Sequence, residues 1–108
     1  MLGKKYRLPG YEIKKIIRSG MRLTSNFFNC SYVNQDKTTH CAVIVPSRIG
    51  KRAVDRNRMK RLTHEALWEL IKNKQIKGDF VLMAKINFAE KKVSDVDVDL
   101  KKLISEIR

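Results

Sequence analysis

From Asp55 to Asn73 the chain repeats apolar residues at helical spacing, with Met59, Leu62, Thr63, Ala66, Leu67 and Leu70 in one stripe. A stripe of this length on a chain of 108 residues must be buried, and the partners on offer alternate with period two, as strands do. Between Arg22 and Val45 strands are expected around 27–33 and 39–45, with Asn34-Gln35-Asp36-Lys37 as the hairpin loop between them and Arg22-Leu23-Thr24 as a short leading strand. In the first strand Phe28, Cys30 and Tyr32 share one face, and Phe27, Asn29, Ser31 and Val33 share the other. In the second the faces are Cys41, Val43 and Val45 against His40, Ala42 and Ile44. Gly78 is read as the residue that breaks the long helix, and Phe80 to Ile86 as a further strand.

Two shorter helices complete the pattern. Tyr11 to Ser19 places Ile13, Ile16 and Ile17 on one side, with Arg18 in the last turn and Gly20 where a left-handed C-terminal cap belongs. Ser94 opens a final helix with Val96, Leu100, Leu103, Ile104 and Ile107 on its apolar face. Asp95 and Asp97 suit its first turn, and Lys101, Lys102 and Arg108 its end. The expected fold is an α+β two-layer sandwich: a small mixed sheet of about four strands, covered by three helices. Residues 1–108 form a single domain, with 1–9 as an extended basic N-terminal arm ending at Pro9-Gly10.

Charge narrows the partner. The formal net charge is +13, and residues 1–61 hold 15 basic side chains against 3 acidic ones, whereas residues 62–108 are almost balanced. A field so lopsided destabilises the fold by self-repulsion and is relieved by a polyanion, so nucleic acid or an anionic surface is favoured over a small acidic substrate. Apolar runs such as Cys41 to Val45 fall far short of the roughly 20 residues that span a bilayer. Residues 1–9 lack the apolar stretch of a signal peptide, so a cytoplasmic location with reduced thiols is expected. Two cysteines make no disulfide framework; Cys30 and Cys41, if they face each other across the hairpin, are read as buried thiols rather than a redox pair.

The charge is densest from Arg48 to Arg61, with seven basic residues and one acid in fourteen positions. This stretch straddles a loop and a helix start, where cations oppose the helix dipole at up to about 1 kcal/mol each at low salt. Backbone amides at the same helix end favour phosphate. Arg58 and Arg61 project away from the apolar stripe, and Arg56 and Lys60 flank it, so the charges can reach a ligand while the stripe stays buried.

Lys51-Arg52-Ala53-Val54-Asp55-Arg56-Asn57-Arg58-Met59-Lys60-Arg61-Leu62, with its Arg-Asn-Arg core, resembles the signature of the bacterial ribonuclease P protein subunit. The likeness extends to Arg7-Leu8 ahead of a short helix ending in Gly20, to Val43-Ile44-Val45 leading into the basic helix, and to Asp79 to Lys85 before a last helix. The resemblance implies a protein that joins a catalytic RNA and assists removal of the 5′ leader from precursor tRNA. The RNA would perform the hydrolysis and hold most of the Mg2+, with no metal or other cofactor bound by the protein alone. It implies no catalytic residue in the protein, no membrane and no obligate protein partner. The fold would be that of the second domain of ribosomal protein S5, with a left-handed βαβ crossover.

Carried over by residue, the resemblance gives the catalytic-RNA contact to Arg56, Asn57, Arg58, Lys60 and Arg61, with Arg48, Lys51 and Arg52 as neighbours. It gives a leader-binding cleft to Ile13, Ile17, Phe27, Asn29 and Ser31. Members of the family commonly carry phenylalanine where Ile13 and Ile17 stand. Stacking a base on an aromatic ring contributes roughly 1–3 kcal/mol, which isoleucine cannot supply.

Other candidates are weaker. His40 and His64 are far apart in sequence and are read as non-catalytic. Asp95, Asp97 and Asp99 diverge around their helix rather than converge on a metal. Trp68, on the outer side of the long helix, is expected to be covered by the C-terminal helix. Rival readings are an RNA-binding assembly or ribosomal protein, a nuclease with its own metal, and a DNA-binding regulator. The last two would need converging acids or a helix-turn-helix, and the sequence shows neither.

Overall fold

The five-residue apolar run from Phe80 to Ala84 suits an inner strand of the sheet, because a strand apolar on both faces belongs where both faces are largely covered. The computed structural model describes residues 2–35 and 38–107. Its elements are α1 (Gly10–Ser19), β1 (Met21–Thr24), β2 (Phe28–Val33), β3 (Thr39–Ile44), α2 (Ala53–Lys72), β4 (Gly78–Ala84) and α3 (Val93–Ser105), preceded by a 3-10 turn at Lys4–Tyr6. Together they make one four-stranded sheet in the order β1-β2-β4-β3. Strand β2 runs antiparallel to β1 and β4, while β3 runs parallel to β4, with α2 as the crossover that parallel neighbours require.

Strand β4 therefore lies between the two strands expected to form a hairpin, and residues 34–37 join strands that do not pair; Asp36 and Lys37 fall outside the described residues. Cys30 opposes Leu82 and Cys41 opposes Phe80, so the two cysteines stand on strands separated by β4. Both are buried free thiols. Burial pushes Cys30 up to about 12 and Cys41 well above the usual thiol range, which leaves neither as a nucleophile near neutral pH.

One sheet face carries the core. Phe28, Cys30, Tyr32, Cys41, Phe80 and Leu82 meet the α2 stripe and Val96, Leu100 and Leu103 of α3. The stripe is buried as expected, and the Thr63 hydroxyl donates to the Met59 carbonyl at 2.8 Å within the helix. The opposite face is covered only in part, by α1, which buries Ile16 and leaves the Asn29 side of the sheet open.

Local stops differ from the pattern for identifiable reasons. Gly20 is extended (φ −77°), not left-handed; a Cβ there would lie 2.6 Å from the Ile16 carbonyl oxygen and 2.9 Å from that of Tyr32, so close backbone approach explains the glycine. Helix α2 ends before Gly78: the amides of Gln75 and Lys74 bond the carbonyls of Leu70 and Ile71, a Schellman closure with Lys74 at φ 56° in the position glycine prefers. Gly78 instead opens β4 at φ 112°, where a Cβ would meet the Tyr32 ring and the Val33 carbonyl at 2.7 Å.

The arm is folded rather than extended. Leu2 is buried in the core, its amide donates to His64 Nδ1 at 3.2 Å, and Arg7 bridges to Cys41 along the β3 edge. The same segment covers Trp68, whose ring stands 5.8 Å from that of Tyr6; α3 does not take that place, and the indole stays 41% exposed.

Candidate nucleic-acid interface

Strand β3 delivers the chain to α2 through a tight turn, with the Ile49 and Gly50 amides both donating to the Pro46 carbonyl at 3.0 Å. Gly50 is buried beneath the helix start, where a Cβ would clash with Arg56 Cγ at 2.7 Å and Met59 Cε at 2.8 Å. The Arg56 guanidinium donates to the Gly50 carbonyl at 2.8 Å and to that of Lys51 at 3.3 Å, fixing the turn to the helix. Arg56 thus shapes the basic surface as well as adding charge to it.

Arg52 stands at the helix N-cap without capping it through its side chain. It forms a two-pronged pair with Asp55, Nε to Oδ2 at 3.1 Å and Nη2 to Oδ1 at 3.0 Å. That hydrogen bond holds the Asp55 carboxyl below the usual carboxylate range. The first helical amides bonded to Arg52 are those of Asp55 and Arg56; the amides of Ala53 and Val54 carry no bond among the described residues. They present free donors at the positive end of a 20-residue helix dipole.

The remaining predicted residues divide by partner. Arg58 Nε donates to the Ala89 carbonyl and so ties the loop after β4 to α2. Arg48, Lys51, Asn57 and Arg61 are exposed and Lys60 half-buried, and none of the four cations is ion-paired among the described residues. The predicted residues thus gather on the turn before α2 and its first three turns: three of the arginines are anchored to different neighbours, and four cations are unengaged among the described residues.

The predicted cleft is brought together only in part. Ile17, Asn29 and Ser31 line a groove of about 340 Å³ with Arg22, Val81 and Met83, on the sheet face beside α1. Asn29 Oδ1 accepts the Thr24 hydroxyl at 3.2 Å, and Lys85 Nζ donates to that hydroxyl oxygen at 3.1 Å and to the Ser25 carbonyl at 2.9 Å. The side-chain amide is thus fixed at one end of the groove. Ile13 is half-buried in α1 and does not line it. Phe27 lies elsewhere: alternation begins only at Phe28, and the Phe27 ring stacks on Phe88 at 5.1 Å, beside Lys91 and Lys102.

Sequence reasoning missed what places Phe27 there. Asp99, only 3% exposed, accepts the Ser25 hydroxyl at 2.6 Å and the amides of Asn26 and Phe27 at 3.0 and 3.1 Å, holding the β1–β2 turn from α3. Asp95 accepts the Lys92 amide as a capping box, and Asp97 pairs with Lys101 at 3.0 Å. The three aspartates serve three separate structural ends. No group of three or more His, Cys, Asp or Glu side chains among the described residues is arranged to hold a metal ion. No helix among them is long and apolar enough to cross a membrane.

Comparison with known proteins bears on this arrangement. The sequence matches the family profile described as Ribonuclease P over residues 2–108. A Staphylococcus aureus RNase P protein, a mutant with defective mRNA degradation activity, shares the fold with a TM-score of 0.80 at 19% identity, covering 94% of this chain and 87% of that one. The Thermotoga maritima RNase P protein gives 0.76 at 23% identity, covering 94% and 97%. No curated protein matches the chain in sequence. At these identities the structural likeness establishes the α+β fold, and the profile match across the chain, with its basic helix start, establishes that it belongs to the ribonuclease P protein family.

Proposed function

We propose that this chain is the protein component of a ribonuclease P ribonucleoprotein, binding the catalytic RNA through the N-terminal end of α2 and the 5′ leader of precursor tRNA through the groove beside α1. The observation that carries the first contact is the pair of free amides at Ala53 and Val54, with the unpaired cations Arg48 and Lys51 in the turn before them and Lys60 and Arg61 two turns along the helix. Phosphates entering there satisfy the amides, offset the helix dipole and relieve repulsion among the cations in one step. Arg56 and Arg58 hold the turn and loop that frame this end of the helix. Arg52 is released to phosphate only if Asp55 lets it go.

In the groove, Asn29 offers a fixed amide and Arg22 a cation, and Ile17, Val81 and Met83 supply an apolar wall. With isoleucine where relatives stack bases, the leader would be held by polar and apolar contact rather than by a ring. Phe27, stacked on Phe88, is not part of the groove's lining.

The chain's part in the reaction is binding, orientation and charge screening. Its buried thiols are inert, and its aspartates near these surfaces are engaged by Arg52 or by the β1–β2 turn. In this reading the RNA holds most of the Mg2+, and the chain's own residues bind and orient. The test is the affinity of Arg61→Ala and Lys51→Ala for the catalytic RNA across a salt series. Each lost phosphate contact should flatten the log–log slope by about 0.9. Wild-type affinity and slope in the double variant would remove this surface from the account.

A further inference from the structure

The second half of the sequence is nearly neutral, yet the fold gathers lysines from both halves at the far end of α2. Lys5, from the 3-10 turn, and Lys74 and Lys77, from the loop between α2 and β4, line a groove of about 470 Å³ with Tyr6, Thr38 and Ile76. Helix α2 has 20 residues, so at 1.5 Å per residue this groove lies about 30 Å along the axis from the helix start and about 15 Å from Arg61. None of the three lysines has a carboxylate partner among the described residues.

Complementing the C-terminal dipole of α2 favours cations at Lys74 and Lys77 but gives no reason for Lys5, which comes from another element, to join them. The Leu70 and Ile71 carbonyls are closed by the backbone amides of Gln75 and Lys74 and do not need the lysine side chains. Lys74 moreover occupies a left-handed position at φ 56° that glycine would take without strain, so the fold keeps an ammonium there against backbone preference. The groove wall is fixed: Lys5 Nζ stands 4.9 Å from the Tyr6 ring centroid, and Tyr6 leans on Trp68. A concave groove with three cations and no acid among its described lining residues fits a polyphosphate strand better than a flat lipid surface does.

We propose that this groove binds a run of RNA phosphates, so that the catalytic RNA is gripped at both ends of α2. The inference rests on the reading of the chain as the RNA-binding subunit. Its test compares four proteins in binding the catalytic ribonuclease P RNA across a salt series: wild type, K74G/K77Q, K51A/R61A in the arginine-rich stretch, and the variant with both pairs combined. Glycine at position 74 suits the backbone, so K74G/K77Q should melt no lower than wild type and a binding defect cannot come from misfolding. The expected result is a slope flattened by up to about 1.8 for K74G/K77Q, with weaker binding at low salt, and a further flattening when both pairs are combined. Wild-type affinity and slope in K74G/K77Q, with a defect in K51A/R61A, would overturn the second contact and leave the first standing. No defect in either would overturn both. RNA binding unchanged in K74G/K77Q, with binding to phosphatidylglycerol vesicles lost, would reassign the groove to a lipid surface and overturn the proposal as well.

Discussion

Replacing Asp99 by alanine should be among the most damaging single changes in the protein, although the residue lies on α3 and lines none of the proposed RNA surfaces. Its carboxylate accepts three hydrogen bonds from consecutive residues of the β1–β2 turn, the Ser25 hydroxyl and the amides of Asn26 and Phe27, at 2.6 to 3.1 Å and with only 3% exposure. Truncation orphans two amides, each costing about 1–2 kcal/mol in this part-buried turn, while the hydroxyl can turn to another acceptor. The expected loss is therefore about 2–4 kcal/mol, equivalent to a fall in Tm of roughly 10–25 °C for a domain of this size. Asp99→Asn keeps one acceptor oxygen and places an NH2 group against the remaining donors, so it should lose about half as much. Urea denaturation of the two variants gives the numbers, and amide exchange gives the location, with Asn26 and Phe27 losing protection first. A loss below about 0.5 kcal/mol for Asp99→Ala would refute the claim that α3 holds this turn through its carboxylate.

Lys74→Gly should stabilise the protein by about 0.5–1 kcal/mol in urea denaturation, because the left-handed C-terminal position of α2 then carries no Cβ. Gly20→Ala should cost about 1–3 kcal/mol in the same assay, since its Cβ would press on two carbonyl oxygens that cannot move independently of α1 and β2. His64 accepts the Leu2 amide in its neutral form, and burial first, with nearby positive charge such as Arg7 and Lys60, lowers its pKa below the usual 6.5. The unfolded chain then takes up this proton before the folded one as pH falls. Its contribution is complete above about 6.5 and is lost below it. Tm measured from pH 7.5 to 5 should fall more steeply in wild type than in His64→Leu, and equal slopes would contradict the role of this imidazole.

Much of this architecture was legible in local pattern. The stripe from Met59 to Leu70 is buried as its spacing indicated, and Phe28, Cys30 and Tyr32 face the core while Asn29 and Ser31 lie on the opposite face, Asn29 exposed and Ser31 buried. Strand order was not legible. Alternation states which face of a strand is buried but carries no information about its neighbour, so only the doubly apolar run of β4 hinted that it would separate β2 from β3. Phe27 was misplaced because period-two reasoning was extended one residue beyond the strand. The roles of Leu2 and Asp99 depend on partners 62 and about 73 residues away, beyond any local window. The basic run from Arg48 to Arg61 stood out in the sequence because its charges are consecutive. The groove of Lys5, Lys74 and Lys77 did not, because only the fold assembles it.

The central claim is that this chain acts with an RNA and not alone, and precursor-tRNA cleavage at low Mg2+ tests it most directly. Catalytic RNA alone, protein alone and the two together are assayed for release of the 5′ leader. The account predicts activity only, or mainly, in the combined reaction, and weaker stimulation by the Lys51→Ala/Arg61→Ala protein. Cleavage by the protein alone, or no stimulation of the RNA by the wild-type protein, would contradict it.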